Sequence, residues 1–277
     1  MDTTSRALRR TAAGAASLLA VALLAACGGS DDKDASGPKG EKGKGSSASG
    51  GSASGGGDAS GGADGSGGSD GKTLSAAELE TAVVKDGEVP GHKISERAKV
   101  DRTAEKDVKT ERAECGPLAN AALGTTTGGP AAKVEREALT KPAKGEVKDP
   151  KDLESAFDAT KSMISLAAYE DGGARSAMEA LRKGVAPCGG GFTTHAHGED
   201  LKITSVKEDT APKLGDEATA FTVVNQQGHD KASFKVVVVR KGNTLAYFTS
   251  LNLGAIVSGK DFDFPVELAQ AQAKKLA

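Results

Sequence analysis

The run His195-Ala196-His197-Gly198-Glu199-Asp200 is the densest local collection of metal-ligating side chains in the chain. In an extended segment successive side chains alternate between two faces, so His195, His197 and Glu199 would share one. Two imidazoles and a carboxylate form a set that zinc accepts, with water or another side chain as the fourth ligand. The glycines around the run read as well as the polar tip of a loop between strands. The trio is therefore a weak metal candidate, and neither a metal nor another cofactor is expected. Catalytic patterns are absent from the folded part: no G-x-S-x-G elbow, no H-E-x-x-H helix and no S-x-x-K. Gly71-Lys72-Thr73 matches the tail of a phosphate-binding loop, but Ser66 stands where that loop needs glycine and no strand precedes it. The chain reads as a non-enzyme.

The three cysteines have separate chemistries. Cys27 closes the run Leu23-Leu24-Ala25-Ala26-Cys27 and is followed by Gly28. Arg6, Arg9 and Arg10 precede an apolar stretch from Ala12 to Ala26. That is the layout of an export signal with small residues before its cut. A cysteine at the first mature position makes the segment look like a bacterial lipoprotein signal over residues 1–26, in which the Cys27 thiol takes diacylglycerol and the new N-terminus a further acyl chain such as palmitate. The apolar stretch is about 15 residues long, short of the roughly 20 that span a bilayer as a helix. Two acyl chains give stable attachment, so the membrane is a partner through the anchor. Once lipid takes Cys27, the pair Cys115 and Cys188 remains in an oxidising compartment, and a disulfide between them is expected. It closes a loop of about 70 residues, worth roughly 4 kcal/mol on the chain-entropy account. Two free thiols or a thiolate metal site are the alternatives, and neither cysteine belongs to a C-x-x-C pair.

Composition narrows the partners. The formal net charge is −2. Because the export signal itself is basic, the remainder is more acidic still, with no basic block to attract nucleic acid. Only 3% of residues are aromatic, seven Phe and two Tyr with no Trp. All nine lie from Phe157 onwards, which suits one core and disfavours a lectin built on aromatic platforms. Residues 27–72, after the cysteine, are almost entirely Gly, Ser, Ala, Asp and Lys, too poor in apolar surface to offset ordering entropy. They form a disordered tether with a reach of roughly 35–40 Å.

The folded part spans 73–277. Leu74-Ser75-Ala76-Ala77-Glu78-Leu79 predicts a helix start: Ser75 and Glu78 form a capping box, with Leu74 and Leu79 as the staple. A strand is expected over 92–97 and a short helix from Cys115-Gly116-Pro117 to about Leu123. A loop rich in Thr and Gly follows over 124–130, then a strand over 161–169. Ala174, Ala177, Met178 and Leu181 recur at helical spacing, with Gly184 as the stop. Strands are expected over 201–206, 219–225, 233–240 and 245–253. Val236 to Val239 should be covered on both faces, with a tight hairpin at Lys241-Gly242-Asn243-Thr244. Pro265 opens a terminal helix with Val266, Ala269, Ala273 and Leu276 as its apolar stripe. His92 and His229 fall in polar, turn-like segments. The sum is a single α+β domain with a central antiparallel sheet, peripheral helices and one disulfide.

Several stretches resemble the extracellular sensor domain of mycobacterial Ser/Thr receptor kinases and related actinobacterial lipoproteins. They are LSAAEL from Leu74, AECGPLA from Ala113, ARSAMEALRKGVAPC ending at Cys188, LGDEATAF from Leu214 and VVVVRKGNTLAYF from Val236. The resemblance runs over roughly 73–277 and implies an α+β fold with a ligand-binding cleft and no catalytic residues. Some members have a second disulfide that this chain lacks.

The expected function is that of a lipid-anchored protein on the extracytoplasmic face of the cell membrane, monomeric, with a domain that senses or binds an unidentified small molecule, lipid or cell-wall ligand. Two alternatives stay open: a lipid or glycolipid carrier with an apolar cavity, and a cell-envelope scaffolding protein.

Overall fold

The structure, a computed structural model, describes residues 72–140, 158–228 and 230–276. Cys27, the export signal, the tether up to Gly71 and His229 lie outside the described residues.

Nine strands form: β1 (His92–Glu96), β2 (Lys109–Thr110), β3 (Ala132–Thr140), β4 (Thr160–Ala168), β5 (Phe192–Ala196), β6 (Glu199–Glu208), β7 (Glu217–Gln227), β8 (Asp230–Lys241) and β9 (Thr244–Asn252). They make one sheet in the order β1-β3-β4-β9-β8-β7-β6-β5-β2, each neighbouring pair antiparallel. Among the described residues five α-helices accompany them: α1 (Ala76–Ala82), α2 (Gly116–Ala122), α3 (Gly173–Cys188), α4 (Leu253–Ser258) and α5 (Val266–Lys275). The α+β architecture expected from the sequence is present.

Alternation along the central strands builds a core on each side. Val236, Val238, Leu245 and Tyr247 point to one face and pack with α2 and α3. Val237, Val239, Ala246 and Phe248 point to the other and pack with Leu79 of α1 and Leu268 and Ala269 of α5. All four valines of β8 are buried, as a strand covered on both faces requires.

Local chemistry sets the helix ends. Ser75 Oγ accepts from the Glu78 amide while Glu78 reaches back to the Ser75 amide, so the capping box is complete. Thr73 Oγ1 donates to the Tyr169 carbonyl at 2.8 Å and seats the chain before α1. Cys115 and Cys188 form the disulfide, joining the turn that opens α2 to the last residue of α3.

Four expectations need correction. Gly184 does not end α3, which continues to Cys188 with Pro187 in its last turn. A Cβ at Gly184 would come within 3.0 Å of the Glu114 carbonyl and 3.1 Å of Leu118, so the glycine permits a close approach to α2. The apolar stripe of α5 is also turned: Val266 is exposed, and the buried face is Leu268, Ala269 and Gln272. Gln272 is fully buried because its side chain completes the end of α1, accepting from the Val84 amide and donating to the Ala82 carbonyl, both at 2.9 Å. His92 is buried in β1, not in an open turn, with Nδ1 3.2 Å from the Pro90 carbonyl. Finally, β3 and α4 form where the sequence reading placed no element. The charges of Val134-Glu135-Arg136-Glu137 hid β3, and each finds a partner: Glu135 meets Arg102 and Lys133, Arg136 meets Glu80, and Glu137 meets Lys161.

Candidate functional site

The sequence-level metal candidate is taken apart by a turn. His195 ends in β5 and Glu199 begins β6, with His197 and Gly198 forming the two-residue hairpin loop between them. Both loop residues have positive φ, 54° and 81°, the signature of the tight hairpin turn that matches strand twist. Period-two alternation therefore does not run through the segment, and the three side chains do not share a face. His195 Nδ1 instead lies 2.9 Å from Asp200, its cross-strand partner, and His197 Nε2 lies 2.8 Å from Thr103 Oγ1. Among the described residues no group of three His, Cys, Asp or Glu side chains is placed to hold a metal ion.

A more complete constellation lies where β4 begins and β9 ends. Asp158 and Thr160 come from the start of β4, Asn252 from the end of β9, Gly254, Ala255 and Ser258 from α4, and 260–263 from the loop beyond it. Together they line a cleft of about 560 Å³. Asn252 is its pin. Its Oδ1 accepts from the Ala255 amide at 2.7 Å and so caps α4. Its Nδ2 donates to Asp158 at 2.7 Å and Thr160 Oγ1 at 3.0 Å. One buried amide thus fixes the helix, the strand and a carboxylate together. Gly259, at φ 69°, stops α4 and turns the chain back along the cleft wall.

The lining is polar and mostly acidic, with Asp158, Asp261 and Asp263 set against Lys260. Lys235, on β8 behind the wall, holds Asp261 at 3.0 Å and lies 5.7 Å from the centre of the Phe262 ring. The hydrogen bond from Lys235, followed by that from the Phe262 backbone, keeps the Asp261 carboxyl below its ordinary range. Asp261 is therefore an anionic acceptor near neutral pH and has no proton to donate. The arrangement can accept hydrogen bonds from hydroxyl or ammonium groups of a small polar molecule.

The cleft has a defined place relative to the chain's entry. Tyr169 follows β4 directly, and its carbonyl holds Thr73. A second groove, lined by Lys72, Leu74, Gly242, Asn243 and Leu276, marks this end of the sheet. Strand β9 runs from Thr244, at the groove, to Asn252, at the cleft. At about 3.3 Å per residue its length separates them by about 26 Å. The sequence could not show this cleft, because the β4–β9 pairing brings together residues far apart in the chain. The nearest local signal was Asn252 before an apolar run, which reads as a helix cap.

No protein-family model and no curated protein matches the chain. Among solved structures it is similar to the extracellular domain of PknH from Mycobacterium tuberculosis, with a TM-score of 0.44 and 9% identity over 74% of this chain and 96% of that one. It is also similar to a putative uncharacterized protein (Rv0999 ortholog) from Mycobacterium smegmatis, with a TM-score of 0.32 and 16% identity over 73% of this chain and 94% of that one.

Proposed function

We propose that the chain is an extracytoplasmic lipoprotein, acylated at Cys27, whose folded part is a non-catalytic domain that binds a small polar ligand in the cleft between β4, β9 and α4. The observation that carries this reading is the position of the cleft. It lies at the end of the sheet opposite Lys72, where Asn252 fixes a helix, a strand and a carboxylate around a polar hollow. Its acidic lining favours a neutral, hydroxyl-rich or cationic ligand over an anionic one. The buried disulfide accords with an oxidising location. The filled cores on both faces of the sheet speak for this reading over an acyl carrier, which needs room among those same side chains.

Two measurements test the two halves. Cells fed radiolabelled palmitate should label the protein, and Cys27→Ala should abolish both the label and the membrane fraction. An unlabelled protein sinks the anchor. A panel of neutral, cationic and anionic polar metabolites should contain neutral or cationic members that raise the melting temperature, an effect that Asp263→Asn or Asn252→Ala weakens. Stabilisation by anionic members alone, or by none, sinks the cleft.

A further inference from the structure

A second surface lies on the opposite side of the loop wall and meets the cleft at the Lys235–Asp261 ion pair. Helices α1 and α5 cover the sheet over β3, β4, β8 and β9. Beyond their reach, the same face of β6, β7 and the start of β8 is half-exposed and bordered at Lys235 by Asp261 and Phe262. Cross-strand register orders its side chains into rows. Lys202, Gln226 and Lys231 form one row, Ser205, Val224 and Ser233 the next, and Lys207, Thr222 and Lys235 the third. Lysines thus occupy the four corners of a platform whose middle row is small.

The platform depends on one irregularity. Lys202 and Lys207 differ in parity, so a regular strand would point them to opposite faces. A bulge between Ile203 and Ser205 inserts Thr204 as an unpaired residue and resets the alternation. Ile203 and Val206 then both enter the core, while Lys202 and Lys207 both face out. Gly191 makes room for the bulge: a Cβ there would sit 2.3 Å from the Ile203 carbonyl. The same alternation sends the acidic Glu199, Glu208 and Asp230 to the other face.

Lys202, Lys207 and Lys231 are exposed and lie within ion-pair distance of no described carboxylate, although Asp261 is near enough to feel the charge of Lys207. Lys235 is held by Asp261. Two further carboxylates at the margin are engaged, Asp200 by His195 and Asp209 by Thr222. The Ser205 and Ser233 hydroxyls are bound by no other described side chain or carbonyl. Lysines in one row are about 10 Å apart and those along β8 about 13 Å, from the strand spacing and rise.

We propose that this face docks an anionic polysaccharide, its carboxylate or phosphate groups meeting the corner lysines and its hydroxyls meeting the serine row. The chemistry separates this partner from other polyanions. The three rows contain no arginine to fork onto phosphates, and the Phe262 ring at their margin is already faced by Lys235, so neither device that nucleic-acid grooves rely on is on offer. A platform of isolated ammonium groups with hydroxyls between them suits a chain whose charges are spaced by hydroxyl-bearing units. Because recognition rests on charge and hydroxyls, the low aromatic content of the sequence is no obstacle.

The test uses the full-length protein and oligomers of polygalacturonate, with neutral dextran, polyglutamate and duplex DNA as comparisons, in calorimetry at low salt. The expected result is saturable binding to polygalacturonate that added salt weakens and dextran does not reproduce. Lys202→Gln with Lys231→Gln should weaken it at least tenfold, and Lys207→Gln with Lys231→Gln should do the same. Lys183→Gln, on helix α3 across the sheet, should leave it unchanged. Unchanged melting temperatures identify the losses as loss of contact. The proposal is overturned by no binding at millimolar oligomer, by platform variants that bind like the parent, or by tighter binding of polyglutamate or DNA at equal charge concentration.

Discussion

Gln272 offers a quantitative test of how the α1–α5 face is held. Its side chain lies fully buried between Leu268 and Ala269 on one side and the end of α1 on the other. It makes two hydrogen bonds, from the Val84 amide and to the Ala82 carbonyl, both at 2.9 Å. Gln272→Leu keeps the size and removes both. Each bond contributes about 1 kcal/mol net, and each orphaned backbone group adds a desolvation cost of about 1–2 kcal/mol. Leucine returns about 1 kcal/mol through added apolar burial. The balance is a loss of about 3–5 kcal/mol. Urea unfolding followed by circular dichroism reads it as a lower midpoint at constant slope. Amide exchange should show the Val84 N–H losing protection while the amides of β8 keep theirs relative to global unfolding. A loss below about 1 kcal/mol with Val84 still protected would mean that water or a backbone shift satisfies these groups, and would refute the reasoning.

Three further outcomes follow from the same structure. Replacing both Cys115 and Cys188 by alanine opens a link spanning 73 residues, with an expected loss of about 4 kcal/mol in urea unfolding; equal stability of reduced and oxidised protein would contradict it. Gly184→Ala forces a methyl group against the Glu114 carbonyl and Leu118, costing about 1–3 kcal/mol, and a neutral result in thermal unfolding would show that α3 can move off α2. The hydrogen bond from Lys72, with those from the Ser75 amide and hydroxyl, lowers the Glu78 carboxyl from 4.5 to about 2. Its folded-state pKa is depressed, so its contribution is present above about pH 4.5 and lost as pH falls toward about 2. The urea midpoint should therefore drop less across that window in Glu78→Gln than in the parent, and parallel profiles would rule the effect out.

Much of the fold was legible because it is written in local chemistry. The capping box at Ser75, the Pro117 helix start and the Lys241–Thr244 hairpin each need only a few neighbouring residues, and each formed where its sequence says. The doubly covered β8 could be read from four consecutive valines. What escaped reading depends on distant partners. The glutamates of β3 look solvated until Arg102, Lys133 and Lys161 are brought to them. Gly184 looks like a helix stop until α2 lies against it. Gln272 interrupts an apolar stripe until the end of α1 supplies its bonds. The histidine run is a loop tip between strands, one of its two readings; the other, a shared face for three ligands, needed unbroken extension, which two residues of positive φ remove. The cleft and the lysine platform are products of cross-strand register, and no window of sequence contains either.

Strand order also governs when the sheet can exist. The pairs β3–β4 and β7–β8 each join consecutive strands and can form as they are made. The two groups of strands meet only through β9, which pairs with β4 on one side and β8 on the other. Strand β9 begins at Thr244, so β4, already paired with β3, waits for more than two-thirds of the 277 residues before it gains its second neighbour. Contacts so distant in sequence slow folding. Until β9 arrives no strand joins the two groups, and its alternate residues, Leu245 and Tyr247 on one face and Ala246 and Phe248 on the other, are shared between both cores.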